Sequence, residues 1–346
     1  MIYFNSDYLE GAHPSIMVKM AETNMVQTVG YGEDEYCEAA REKIKVACQA
    51  PEADVHFLVG GTQTNTTVIA AILRPWQGVI SAVSGHINCH EAGAIESTGH
   101  KVITLPTDNG KITAQQVADY VEWHKNDEST EHIVQPGMVY ISHPTEAGTL
   151  YTRAELTELY DTCRRYGLPL YIDGARLGYG LAAEESDMTL PEFARLCDVF
   201  YIGGTKVGAL FGEAVVIMNE SLKKDFRFIM KQRGGRLAKG RLLGIQFDAL
   251  FTDDLYFKIS RHAIEMAHQI RDIFVSAGYP LLFDSPTNQQ YPIMPDAELA
   301  EIGKSFGYEY WERVDKTHSG VRFCASWATT QENVDALREA VNALKK

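Results

Sequence analysis

Between about residue 50 and residue 220 the chain alternates short apolar runs with amphipathic stretches of helical length. Such alternation builds βαβ units, and these require a mainly parallel or mixed sheet with helices on its faces. The strands expected are Asp54 to Leu58, Gly78 to Ala82, Lys101 to Leu105, Met138 to Ile141, Pro169 to Ile172, Val199 to Ile202 and Glu213 to Met218. Helices fit between them, for example Thr64 to Leu73 and Arg153 to Tyr166. Seven strands in one open sheet make a large α/β domain. From about residue 242 the pattern becomes one long helix through Ala277, then Pro280 to Pro295 with four prolines, short strands, and a final helix from Thr330 to Leu344. The expected division is therefore an N-terminal arm (1–14), a large α/β domain (15–241) and a small C-terminal α+β domain (242–346).

Composition narrows the function classes. The 346 residues are 45% hydrophobic and 23% charged, with a formal charge of −14. A chain this acidic is a poor partner for nucleic acid or an anionic membrane surface. No apolar stretch reaches the roughly 20 residues of a membrane helix, and the start lacks a basic segment followed by a long apolar one. Cys37, Cys48, Cys89, Cys163, Cys197 and Cys324 are scattered, with no CxxC pair and no metal-finger spacing. They read as reduced core thiols of a cytoplasmic protein.

Lys206 interrupts the buried-type segment DVFYIGGTKVGALFGEAVVI, crowded by Gly203, Gly204, Gly208 and Gly212. A lysine there is costly unless something uses its amine. About thirty residues upstream, Leu170 to Ile172 runs into Asp173, Gly174, Ala175 and Arg176. An acid at the carboxyl end of a strand stands where open α/β sheets bind ligands. The pair suggests pyridoxal 5'-phosphate, with Lys206 as its Schiff-base lysine and Asp173 on the pyridine nitrogen. As an ordinary strand-end acid, Asp173 would instead cap a helix or pair with Arg176.

Other segments carry two readings each. Gly60, Gly61 and Thr62 follow a strand and open a helix, where exposed amides and a hydroxyl can hold a phosphate; the alternative is a plain turn with Thr64 as N-cap. In Ser84 to Glu91, His86 would stack on a flat cofactor ring, or both His86 and His90 would sit in polar packing. Their i, i+4 spacing beside Glu91 also suggests zinc, but the order is wrong for HExxH and no third ligand follows, so no metal is expected. The basic loop Gly234 to Arg241 is either a solvated turn or carries a cation to a phosphate, across a subunit boundary in one version. Arg322, in an apolar strand, would hold a substrate carboxylate.

In order, the motifs Asn5-Ser6-Asp7, Gly30 to Asp34, GGTQTN, SGHIN, YIDGARL, GGTKVG, the basic loop and the Arg322 strand resemble the threonine aldolase and β-eliminating lyase family of pyridoxal-phosphate enzymes. The resemblance runs through nearly the whole chain. It implies the aspartate aminotransferase fold (fold type I), with Lys206 forming the Schiff base, Asp173 on the pyridine nitrogen, His86 on the ring, and Gly61 and Thr62 on the phosphate. It further implies that Ser6, Arg176 and Arg322 grip an amino-acid carboxylate, and that Lys239 or Arg241, with Tyr31, reaches a neighbouring subunit's cofactor in a homodimer or homotetramer with shared sites. The implied reaction is cleavage of a β-hydroxy-α-amino acid, threonine or allo-threonine, to glycine and an aldehyde. One departure stands out: where many threonine aldolases carry a histidine near the substrate hydroxyl, this chain has Glu146, so Glu146 or His86 is the expected base. A change of base would favour β-elimination, racemisation or transamination, and loss of a competent base would leave a non-catalytic cofactor-binding protein. A nucleotide-binding oxidoreductase is disfavoured, since no GxGxxG follows the first strand.

Overall fold

The computed structural model of the protein describes residues 1–345. A two-residue strand, β1 (Ile2–Tyr3), precedes the large sheet, whose strands are β2 (Asp54–Leu58), β3 (Gln77–Ala82), β4 (Val102–Leu105), β5 (Gln135–Ser142), β6 (Leu170–Asp173), β7 (Val199–Gly203) and β8 (Glu213–Ile217). Their order is β2-β8-β7-β6-β5-β3-β4. β3 to β7 pair parallel, whereas β8 runs antiparallel to both β7 and β2. The seven expected strands are all present, with ends moved by three residues or fewer.

Both faces of this sheet are buried, which explains why its strands read as continuous apolar runs. Val139, Ile141, Ile172, Phe200 and Val216 point into one core. Met138, Tyr140, Tyr171, Tyr201 and Val215 point into the other. This period-two alternation places three tyrosines on one face of three neighbouring strands.

The small region is built from β9 (Gln289–Gln290), β10 (Ile293–Pro295), β11 (Phe306–Gly307), β12 (Glu309–Arg313) and β13 (His318–Cys324). β13 pairs antiparallel with β10, β12 and β9. β1 pairs parallel with β11, tying the N-terminal arm into this region. Its core, around Phe4, Ile270, Phe274, Phe323 and Leu337, is separate from the two beside the large sheet.

Two expectations need correction. The single long helix is two helices, Arg241–Leu250 and Leu255–Ser276. Asp253 (φ 52°) and Asp254 (φ 61°) break the chain between them in the left-handed region, which aspartate tolerates better than most residues. Apolar spacing continues across the break and hides it. The helix Arg241–Leu250 packs in the large core, which continues to Ile264. Cys89 is not a core thiol but is exposed; the other five cysteines are buried. Among the described residues, no helix is long and apolar enough to cross a membrane.

Candidate active site

The carboxyl ends of the parallel strands meet at one edge of the sheet, and loops from β2, β3, β5, β6 and β7 open there. A cavity of about 420 Å³ lies over this edge, lined by His86, Glu146, Arg176, Lys206, Arg322 and side chains of β12. Open α/β sheets bind ligands at this edge.

Asp173 ends β6 and is buried. The tyrosine face supplies its donors: Tyr140 Oη at 2.7 Å and Tyr201 Oη at 2.5 Å. Asn65 Nδ2 adds a bond at 3.1 Å and the Ala175 amide one at 3.0 Å. Burial alone would push this carboxyl up, but the charge of His86 and these bonds outweigh it and hold the pKa below its ordinary value. Asp173 is therefore an ionised carboxylate in a dry site. Asn65 is itself fixed, its Oδ1 accepting from Tyr171 Oη at 2.7 Å and its Nδ2 also reaching Glu91 Oε1 at 2.6 Å.

Glu91 in turn holds His86, with Nδ1 to Oε1 at 2.8 Å. Burial works against a charged imidazole here, yet the Glu91 bond and the Asp173 charge prevail and raise the His86 pKa. His86 and His90 lie with ring centroids 5.6 Å apart, and burial lowers the His90 pKa. Glu146 hangs over the same space. Its Oε1 accepts from the His86 amide at 2.9 Å and from Ser142 Oγ at 2.6 Å. Burial raises the Glu146 pKa despite these bonds.

Lys206 follows β7, with its backbone carbonyl accepting from Tyr179 Oη at 2.5 Å. Burial, then the charge of Arg176, depresses the lysine's pKa. Such a lysine spends more of its time as the neutral nucleophilic amine. Opposite, the helix Gly61–Ile72 begins at Gly60 with no side-chain cap, leaving its first amides for a ligand. A Cβ at Gly61 would come within 3.1 Å of Tyr201 Oη, so glycine preserves the space. Thr62 is exposed in the helix's first turn, and Thr64 lies inside the helix rather than capping it.

The two arginines differ. Arg176 is engaged by Asp7, with Nε to Oδ2 at 2.6 Å and Nη2 to Oδ1 at 3.1 Å. Although burial works against it, this pairing brings the Asp7 pKa down to about 2. Arg322 donates to Gln289 Oε1 at 3.0 Å and to the Asn5 carbonyl at 3.2 Å, and Trp311 stands 5.7 Å away. Among the described residues its Nε is buried without a partner, as is Ser6 Oγ. Buried donors left open in this way fit an anion such as a carboxylate.

The basic loop reads differently in detail. Arg241 donates to the Thr23 and Val26 carbonyls, and Lys239 is exposed. Tyr31 is instead faced by Lys231, 4.6 Å over its ring, and Arg236 at 5.9 Å. Lys206, Asp173, His86, Glu146, Arg176 and Arg322 thus meet around one cavity, with Ser6 and Gly61 beside them; Tyr31, Lys239 and Arg241 lie apart from it. Asn65, Glu91, Tyr140, Tyr201 and Asp7 belong to the site, although the sequence assigned none of them a role in binding a cofactor or substrate. The asparagine in GGTQTN and the glutamate five residues after His86 were visible there, but nothing marked them as partners.

An uncapped helix start, a buried ionised acid, a depressed lysine and open anion donors together fit pyridoxal 5'-phosphate with an amino acid. A family model described as Beta-eliminating lyase matches residues 4–339. A protein described as low specificity L-threonine aldolase, from Pseudomonas aeruginosa, is 28% identical over 96% of this chain and 95% of its own length. The solved threonine aldolase of Leishmania major is 42% identical, covers 100% of both chains and superposes with a TM-score of 0.97. A histidinol-phosphate aminotransferase from Clostridium acetobutylicum shares the fold, with a TM-score of 0.75, 11% identity and coverage of 100% of this chain and 99% of its own.

Proposed function

The chain belongs to the beta-eliminating lyase family, and from that premise we propose that it cleaves threonine or allo-threonine of the L series to glycine and acetaldehyde. It is a lyase whose cofactor is pyridoxal 5'-phosphate. When bound, the cofactor supplies an electron sink for the pair left at Cα as the Cα–Cβ bond breaks. Lys206 would hold its aldehyde carbon, Asp173 the proton on its ring nitrogen, His86 its ring face, and Gly61 and Thr62 its phosphate.

The chain's own residues then divide the work. Arg322 and Ser6 bind the substrate carboxylate through their open donors, and Arg176, steadied by Asp7, adds a second cation. Three donors on one carboxylate would together set the substrate's orientation, so that loss of one weakens binding before it misplaces the scissile Cα–Cβ bond. The observation that carries the reaction is Glu146, which lines the cavity with Oε1 anchored twice. Its other oxygen is left to take the β-hydroxyl proton, directly or through a water. Burial makes it a stronger base than an ordinary glutamate and brings its pKa nearer to neutrality. His86, whose pKa is raised by Glu91, is the poorer candidate for base because it tends to keep its proton.

Six free cysteines support a reducing compartment, the cytoplasm. An exposed apolar band of Met17, Val18, Met25 and Val29 supports pairing with a second copy, which would bring Tyr31 and the nearby cations towards a shared site. The test is direct: purified protein with cofactor should release acetaldehyde and glycine from L-threonine or L-allo-threonine. Spectral binding of both amino acids without aldehyde would overturn the aldol reading and leave β-elimination or racemisation.

A further inference from the structure

Glu213 opens β8. Because β8 runs against its neighbours, its first residue rather than its last lands on the catalytic edge, in register with Gly203 on one side and Leu58 on the other. Glu213 is only 4% exposed. Its Oε2 accepts from the Gly204 amide at 3.0 Å and its Oε1 from Thr205 Oγ1 at 2.8 Å. Thr205 Oγ1 accepts in turn from the Gly212 amide at 3.0 Å. The Gly212 carbonyl takes the Gly204 and Thr205 amides at 3.0 and 3.1 Å. One acid thus grips the two residues directly before Lys206, in a loop with no slack: a Cβ on Gly204 would meet the Gly212 carbonyl oxygen at 2.7 Å.

A buried acid without an ion-pair partner is costly, and among the described residues Glu213 forms no salt bridge. We propose that Glu213 is a positioning residue for Lys206: it fixes the loop that carries the lysine and supplies the negative charge against which the lysine nitrogen holds its proton. Lys206 also faces Arg176, Asp7 and Asp173, but Asp7 is committed to Arg176, and Asp173 to its tyrosines and Asn65. Glu213 itself faces Lys206, Asp173, Tyr171, Tyr201 and Tyr256. Burial raises the acid's pKa to about 8 and lowers the lysine's, so the two compete for a proton in a dry site and Glu213 carries its charge when that proton rests on the lysine nitrogen.

The inference rests on Lys206 being the cofactor lysine, and the experiment separates the two. The absorbance of the holoenzyme's bound cofactor is titrated with pH in the wild type and in Glu213→Gln, Thr205→Val and Lys206→Ala. Glu213→Gln removes the charge at nearly constant shape and should lower the midpoint by about one pH unit or more. Thr205→Val keeps the acid but removes a donor that favours its ionised form, so it should shift the midpoint the same way by less. Thr205→Val carries the test alone should Glu213→Gln fail to fold. An unmoved or raised midpoint in the folded variants overturns the role of Glu213. A titration that persists in Lys206→Ala would instead overturn the lysine assignment.

Discussion

The sheet-edge wall of the cavity and the wall facing it from the N-terminal arm and the small region differ in how fully their polar atoms are bonded. On the sheet edge Asp173 receives four hydrogen bonds and Asn65 is held at both ends. On the other wall, among the described residues, Ser6 Oγ and Arg322 Nε are buried with no partner, beside Asn5 Oδ1 and Gln289 Nε2 in the same condition. On the first wall the acid at its centre, Asp173, is fully bonded before any ligand arrives, as electrostatic preorganisation requires, and among the described residues only the outer oxygen of Glu91 and Ser84 Oγ stay open there. The second would be completed by a ligand: under the proposed function, the substrate carboxylate is recognised by satisfying donors that otherwise stay open. Within one cavity, the chemistry is built in and the recognition is left to binding.

That contrast can be broken at either wall. Asp173→Asn should have the largest effect: it places an amide among four donors and removes the charge, so kcat should fall ~10⁴-fold while KM changes little. A KM effect of comparable size would erase the distinction between the walls. Glu146→Gln should lower kcat by ~10²- to 10³-fold with amino-acid binding retained. The pH profile sharpens this: Glu146 must be ionised to act, and burial raises its pKa, so kcat/KM should fall as pH drops through a value above the ordinary glutamate range. The variant should lack that acid limb. Arg322→Gln should raise KM about 10- to 100-fold with kcat nearly unchanged, the worth of one or two hydrogen bonds to a charged group. Ser6→Ala, losing one neutral donor, should raise KM only about fivefold. Steady-state kinetics with L-threonine covers all four, and a kcat loss in the last two would move those residues to the other wall.

What the sequence shows of all this depends on how local the signal is. The strands of the large sheet are legible because both faces are buried and each strand is a self-contained apolar run. Lys206, Asp173 and Arg322 stand out because each is a charge set in apolar surroundings. The reversed direction of β8 has no such mark, since an antiparallel strand buried on both faces looks like a parallel one. Its consequence, Glu213 beside the lysine loop, was therefore out of reach. The Asp7–Arg176 pair joins the N-terminal arm to the loop after β6, 169 positions along the chain, and no periodicity predicts it. The three tyrosines were readable as core; only the strand register and the folded approach show Tyr140 and Tyr201 donating to one acid while Tyr171 donates to the Asn65 that also bonds it. The break at Asp253 and Asp254 was hidden because the apolar spacing runs through it.

The two residues of β1 have a consequence for how the enzyme is made. They pair with Phe306 and Gly307, and the Phe4 carbonyl accepts from the Cys324 amide, so the arm bearing Ser6 and Asp7 is anchored to a partner roughly 300 residues further along the chain. During synthesis this arm must then wait, unpaired, until residues 306 to 324 have been made. The proposed carboxylate grip closes only then, so a nascent chain that has already folded its large sheet would still lack the means to hold its substrate.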